Sequence, residues 1–435
     1  MKKVLCLVLA ITLLLGASIA AAEPIRIDGV SDRGIQINRA GLNPSADEVI
    51  DRGMGYSPTT GRKLTEIEVP DGFVGAAVTG QYQPLMVQIT NASNGVGTTK
   101  NGKMYSIAPV NGSYADVVYE IVQKSNGSQT RMTMVFSDTI PDYIGFVRST
   151  RMTHVYLRQE WDAAFCTSGY ALEDVPEGWK KMGVKNPASG NRTEEDPGII
   201  YVADYSKPWS KYTYRLSGID DSNNVVFMAA DLVQNIVPKD HVPANHTWLF
   251  SDELPEGGDS GRIVYVTYGN VNESDNRLEY DENSNAYIRY VTVGKNPDVP
   301  YMDTKLINPR IQKVRNSEGE TVRKIVADDR VTNNVFTFNN VIIQGIHMHW
   351  LGGERPDPDE LVGTGNADYF MGGKHYAGVW ERTDWNSRTV FYGADGNEIK
   401  LQRGRTLIIM MPYLESFNNN RKNPQPTKKF RVEYE

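Results

Sequence analysis

The stretch GFVRSTRMTHVYLRQEW, residues 145–161, sets Arg148 and Arg151 on either side of Ser149, where an apolar strand-like run gives way to a helix-like one. A guanidinium is planar, always charged and able to hold a carboxylate or phosphate by two parallel hydrogen bonds. Ser149 reads as a helix N-cap, with Thr150, Arg151 and Met152 as the first helical residues. Backbone N–H groups and the positive end of the helix dipole would then face the same point as the two arginines. Arg148, Ser149 and Arg151 therefore predict a ligand-binding site for an anion, with Arg131 adjacent on the sheet. The competing structural reading pairs one arginine with a core-proximal carboxylate such as Asp116, Glu120 or Asp142 and assigns it only to the fold.

Other residues could do chemistry on their own terms. Asp116 and Glu120 are the carboxylates suited to act as a base beside an arginine-stabilised oxyanion, and His154, in the helix-like run, is a candidate general base. A lone helix histidine is more often a surface residue. His347 and His349 are two apart, so on a strand both imidazoles share a face and could hold a metal with Asp303 or His375 as third ligand. No third ligand stands at a known metal spacing, so an exposed strand face is the simpler reading, and no metal or other cofactor is expected. The chain has no Gly-x-Ser-x-Gly elbow, His-Glu-x-x-His helix, phosphate loop or paired-cysteine motif.

Composition limits the partners. The 435 residues carry 46 Lys and Arg against 53 Asp and Glu, a net charge of -7. Nucleic acid, which calls for a basic face, is not an expected partner, and an anion must be held locally. Residues 1–22 read as a cleaved secretory leader: Lys2 and Lys3, an apolar run, then Ala20-Ala21-Ala22. Cys6 would leave with it, and no cysteine stands at the cleavage point. An extracellular or wall-associated protein without a lipid anchor and without an integral membrane span is the expectation. Only Cys166 would remain, so no intramolecular disulfide forms, and its apolar surroundings predict a buried thiol.

The elements that must position the arginines follow from periodicity. Residues 23–80 are rich in turn formers and read as an extended N-terminal segment. QPLMVQITN is the first strong strand, and ADVVYEIV and QTRMTMVF alternate around Asn126-Gly127 as a paired hairpin. Met152, Val155 and Tyr156 have helical spacing, and DAAFCTSG returns as a strand. The expected class is α+β, with a mixed α/β layered unit over 81–256. A change to Pro, Gly and charge near residue 257 opens a β-rich unit over 257–415, followed by a flexible polar tail over 416–435 whose last residues could add an edge strand. In the second unit ADG between TVFY and NEIKL reads as a plain hairpin turn.

Taken in order, PLMVQITN, YADVVYEIV, TRMTMVFSDTIPDYIGFVRSTR and WDAAFCTSGY resemble the N-terminal domain of the YerB-like proteins, an uncharacterised family of exported bacterial proteins. LEYDENSNAYIRYVTVG, Asp303, NNVIIQ, GTGNADYFMGGK, GVWER, TVFYGADGNEIKL and GRTLIIMMPY are similar to that family's β-rich C-terminal domain. The resemblance covers roughly residues 80–415. It implies two tandem domains of unknown function and, in typical members, a lipid anchor whose cysteine motif this chain lacks. The chain departs from the family at Thr150 and Met152, and Ser222 and Asn223 stand near an expected Pro and His. These readings converge on an exported envelope protein that binds an anionic wall-derived glycan or peptide through Arg148, Ser149 and Arg151. A wall-polymer hydrolase or transferase is the enzymatic alternative, and a scaffold with structural arginines the third.

Overall fold

The computed structural model describes residues 24–27, 32–39, 55–91, 99–100, 103–104, 108–122, 130–170, 198–219, 224–237, 239, 241–243, 247–268, 276–293, 296–315, 319, 321–327, 331–351, 355–358, 361–413 and 430–435. Residues 1–22, read above as a leader, Asn126-Gly127, read as a turn, and Ser222 and Asn223 lie outside the described residues.

Ten strands form the path of the central sheet. In chain order they are β1 (Leu85–Asn91), β2 (Val117–Val122), β3 (Thr130–Phe136), β4 (Ala164–Thr167), β5 (Ile199–Tyr201), β6 (Asp259–Ser260), β7 (Asn340–Leu351), β8 (Gly363–Met371), β9 (Lys374–Arg382) and β10 (Thr406–Tyr413). Hydrogen bonding orders them β6-β9-β8-β7-β10-β2-β3-β1-β4-β5. β2 and β3 pair antiparallel from Val117↔Val135 to Val122↔Thr130, as their alternation predicts. Every residue of β1, β2 and β3 is buried, polar ones included. Alternation alone would leave Glu120 and Thr133 facing water. A second layer covers that face, and part of it comes from the C-terminal half.

The two halves are joined by parallel pairings. β10 lies beside β2 with Thr406↔Val117 through Met410↔Ile121 in register. In a smaller sheet Thr213–Leu216 pairs parallel with Thr321–Ala327 through Arg215↔Lys324. Between the halves lies a buried ion pair: Arg289 Nη2 sits 2.9 Å from Glu120 Oε2. That contact is off the line of a hydrogen bond. Aligned bonds run instead from Arg289 Nε to Asn276 Oδ1 and from Asn276 Nδ2 to Glu120 Oε1, each 2.9 Å. The Arg289 guanidinium also lies 4.6 Å from the Tyr301 ring centroid.

A further sheet brings the two ends of the described chain together. Phe430–Tyr434 lies between Ile25–Arg26 and Ile263–Tyr268, with partners on both sides. In Ile263–Tyr268 burial alternates, Val264, Val266 and Tyr268 facing in. The turn after Val390–Tyr392 is no plain hairpin. Its arms meet at Tyr392↔Glu398 and then part, Val390–Tyr392 joining β9 and Lys400–Gln402 joining Leu249–Ser251.

The protein is β-rich. The longest helix among the described residues, α1 (Met152–Trp161), is a core helix: only Gln159 is not buried. The C-terminal half clamps it. The buried Arg382 donates through Nη2 to the Tyr156 carbonyl at 2.9 Å, and Trp385 stacks on Tyr156 at 4.7 Å. Among the described residues no helix is long and apolar enough to cross a membrane.

Candidate functional site

β1, β4 and β5 run parallel, with Val87↔Cys166 and Cys166↔Ile200 in register. Cys166 is buried there, as its apolar surroundings suggest. Past this point the segment 146–148 takes up β1's hydrogen bonds. Thr90 N–H donates to the Phe146 carbonyl at 3.0 Å, and Arg148 N–H donates to the Gln88 carbonyl at 2.8 Å. On the other side the Arg148 carbonyl accepts from Ser168 N–H at 3.1 Å and from the Thr167 hydroxyl at 3.0 Å. Arg148 is thus stitched between β1 and the end of β4, at the carboxyl ends of parallel strands. In open α/β sheets that edge is where ligands gather, because loops leave it and helix N-termini point at it.

The helix starts later than the sequence predicts. Thr150 N–H donates to the Gly169 carbonyl at 2.8 Å and Thr150 bridges Tyr170, so the chain stays extended through Arg151, at φ -129° and ψ 171°. The N-cap is Arg151, not Ser149, and α1 begins at Met152. Capping passes to His154: the Arg151 N–H donates to His154 Nδ1 at 2.8 Å, while the His154 N–H donates to the Arg151 carbonyl at 3.1 Å. An imidazole here does what Glu or Gln does in a capping box.

Two guanidinium groups donate to the carbonyls of this segment. Arg131, buried on β3, donates through Nη1 to the Ser149 carbonyl, and Arg151 Nη1 donates to the Thr150 carbonyl at 2.9 Å. Arg148, Ser149 and Arg151 are half-buried. His154 is fully buried, not a surface residue. Burial, then the charges of Arg131 and Arg151, hold its imidazole well below the usual histidine range, so it is neutral. Since Nδ1 accepts the Arg151 N–H, the ring proton belongs on Nε2. That Nε2 has no hydrogen-bond partner among the described residues. Tyr170 and Tyr201 stack at 5.3 Å at the same end of the sheet. Cationic donors and one neutral buried donor therefore collect on a hydrogen-bonded backbone segment, a set of groups chemically suited to an anion.

The other candidates lie elsewhere. Asp116 Oδ2 accepts from Ser137 N–H, Asp138 N–H and the Thr59 hydroxyl, at 2.8, 2.9 and 2.9 Å. Burial and then the neighbouring Asp138 push its carboxyl well above the carboxylate range. Glu120 is committed to Asn276 and Arg289. Asp303 accepts from Ser113 N–H at 3.1 Å and Asn334 N–H at 2.8 Å, and His375 Nε2 lies 2.8 Å from Asp368 Oδ1. The side chains of His347 and His349 lie outside the described residues. Among the described residues no group of three or more His, Cys, Asp or Glu is placed to hold a metal. Sequence reasoning missed Gln88, Thr167, Tyr170 and Tyr201, which fix or flank the arginine segment only through strand pairing.

Two family models match the chain: the N-terminal domain of a protein of unknown function (DUF3048) over residues 109–217, and the C-terminal domain of the same over 264–408. "Putative lipoprotein YerB" of Bacillus subtilis (strain 168) is 23% identical over 321 residues, spanning 70% of this chain and 77% of its own. A crystal structure of the YerB protein from Bacillus subtilis superposes with a TM-score of 0.55 at 19% identity, covering 82% of this chain and 97% of that one, so the fold is shared. The relative's description as a lipoprotein overturns the expectation of a released protein without a lipid anchor.

Proposed function

We propose that this chain, which belongs to the two-domain DUF3048 family typified by YerB-like proteins, binds a carboxylate or phosphate group at the Arg148–Arg151 segment. The observation that carries the reading is His154. A buried neutral imidazole beside Arg131 and Arg151, its Nδ1 used by the backbone and its Nε2 without a partner among the described residues, is a donor waiting for an acceptor. An oxyanion at that point takes the imidazole N–H and the guanidinium donors together, and stacked Tyr170 and Tyr201 offer an apolar wall for the rest of the molecule. A wall glycan or peptide carries both acidic groups and is one source of such a ligand. Binding is favoured over hydrolysis or transfer because Asp116 and Glu120, the carboxylates a base would come from, spend their oxygens on other partners.

Calorimetric titration of inorganic phosphate, acetate and muropeptide fragments into the full chain tests this. Saturable binding weakened at least tenfold by Arg151→Gln is expected, about 1.4 kcal/mol for that factor. Equal heats for the parent and the variant, with both folded, would overturn it.

A further inference from the structure

The C-terminal half holds a cavity of about 830 Å³ far in sequence from the arginine segment. Its walls are the loop 251–259, the start of β9 and the turn 393–400. The loop is held open in one shape. Tyr376 donates its hydroxyl to the Pro255 carbonyl at 3.1 Å, and Lys374 Nζ donates to the Gly257 carbonyl at 3.1 Å. Gly258 has φ +80°, and a Cβ there would lie 2.6 Å from the Tyr376 ring, so the loop approaches β9 only as glycine.

The charge of the lining is one-sided. Glu253, Glu256, Asp259, Asp395 and Glu398 face a single Lys400. Arg388 neutralises Glu398 with two bonds of 2.5 and 2.7 Å, and Asn397 occupies Asp395. Glu253, Glu256 and Asp259 stay exposed at the rim.

A second observation comes from His375 in the cavity wall, whose side chain is 8% exposed. Its Nε2 lies 2.8 Å from Asp368 Oδ1, and Asp368 Oδ2 accepts from Arg33 Nη2 at 2.7 Å. The Arg33 ion pair keeps Asp368 an acceptor, so the contact is made by a hydrogen on His375 Nε2, and Nδ1 is the ring nitrogen left over. That Nδ1 has no hydrogen-bond partner among the described residues. An unpartnered imidazole nitrogen in the wall and three exposed carboxylates at the rim point to one kind of partner, a positively charged group rich in N–H donors.

We propose that this cavity is a binding site for a primary-amine ligand, its ammonium held by Glu253, Glu256 and Asp259 and its approach sensed by His375. The inference is independent of the anion site.

The test titrates 1,5-diaminopentane and the uncharged 1,5-pentanediol into the full chain, following His375 ring nitrogens by NMR. Expected are saturable diamine binding, a shift of the His375 Nδ1 resonance, no binding of the diol, and at least tenfold weaker diamine binding in Glu253→Gln/Glu256→Gln/Asp259→Asn. These rim carboxylates are exposed, so the variant keeps its fold, and a thermal melt verifies that. Equal response to diamine and diol, or undiminished diamine binding by the folded triple variant, overturns the proposal. Arg151→Gln serves as the control that must leave diamine binding unchanged.

Discussion

Arginine is used in two opposite ways in this molecule. At the junction of the halves, Arg289 meets a carboxylate, two asparagine side-chain oxygens and an aromatic ring, all inside the core. At the carboxyl ends of β4 and β5, Arg131 and Arg151 donate to main-chain carbonyls and crowd a histidine that burial and their own charge keep neutral. The first arrangement cancels charge within the core. The second concentrates donors beside a buried N–H. The lesson is that burial alone does not fix what an arginine does, since Arg289 and Arg131 are both buried with different partners.

The largest expected effect comes from breaking the first arrangement. Arg289→Ala leaves Glu120 buried and uncompensated, at a cost of about 3–5 kcal/mol in urea unfolding. A buried pair is costly to form, so replacing both members should recover most of that loss. Glu120→Leu/Arg289→Met is expected to lie within about 2 kcal/mol of the parent by the same measurement. If the double variant is as unstable as the single one, Arg289 acts through Asn276 and Tyr301 rather than through Glu120.

The second arrangement predicts a pH dependence. The folded-state value of His154 lies below its ordinary 6.5, so the unfolded chain takes up the proton first. Stability is therefore intact above about pH 6.5 and lost as pH falls below it, by up to about 1.4 kcal/mol per pH unit. His154→Gln keeps an acceptor for the Arg151 N–H and should show a shallower acid limb in denaturant melts at pH 7.0, 6.0 and 5.0. Parallel limbs for the parent and the variant would mean that His154 is not held neutral.

The smallest effect on stability is expected at Arg148, whose backbone is stitched into the sheet whatever side chain it carries. Arg148→Ala should change unfolding by about 1 kcal/mol or less while weakening phosphate binding about tenfold. A stability loss near that of Arg289→Ala, with no loss of binding, would move Arg148 to the structural side of the comparison.

What the sequence revealed and hid follows the range of the interactions. The β2–β3 pairing was legible because alternation and a hairpin turn are local signals. The gathering of Arg131 with Arg148, Ser149 and Arg151 was legible in outline, since the strand carrying Arg131 precedes the motif closely. The helix start was misread because Ser149 has the chemistry of a cap, while Gly169 and Tyr170, some twenty residues on, hold Thr150 extended. No local signal reports that bridge. The covering of Glu120 by Arg289 was hidden for the same reason. The Asp368–His375 pair was findable. Gly372-Gly373 is a two-residue hairpin turn that sets Met371 opposite Lys374 and Phe370 opposite His375, putting Asp368 diagonally beside the imidazole on one face.

The central claim is that an anion completes the donor set around His154, and its ring nitrogens report this most directly. With inorganic phosphate titrated into the full chain, nitrogen-detected NMR should show the Nε2–H resonance of His154 shifting saturably. The apparent pKa of the ring should rise toward its ordinary 6.5 as the bound negative charge offsets Arg131 and Arg151. A His154 resonance and pKa unmoved by saturating phosphate, in a protein whose melt shows it folded, would contradict the account.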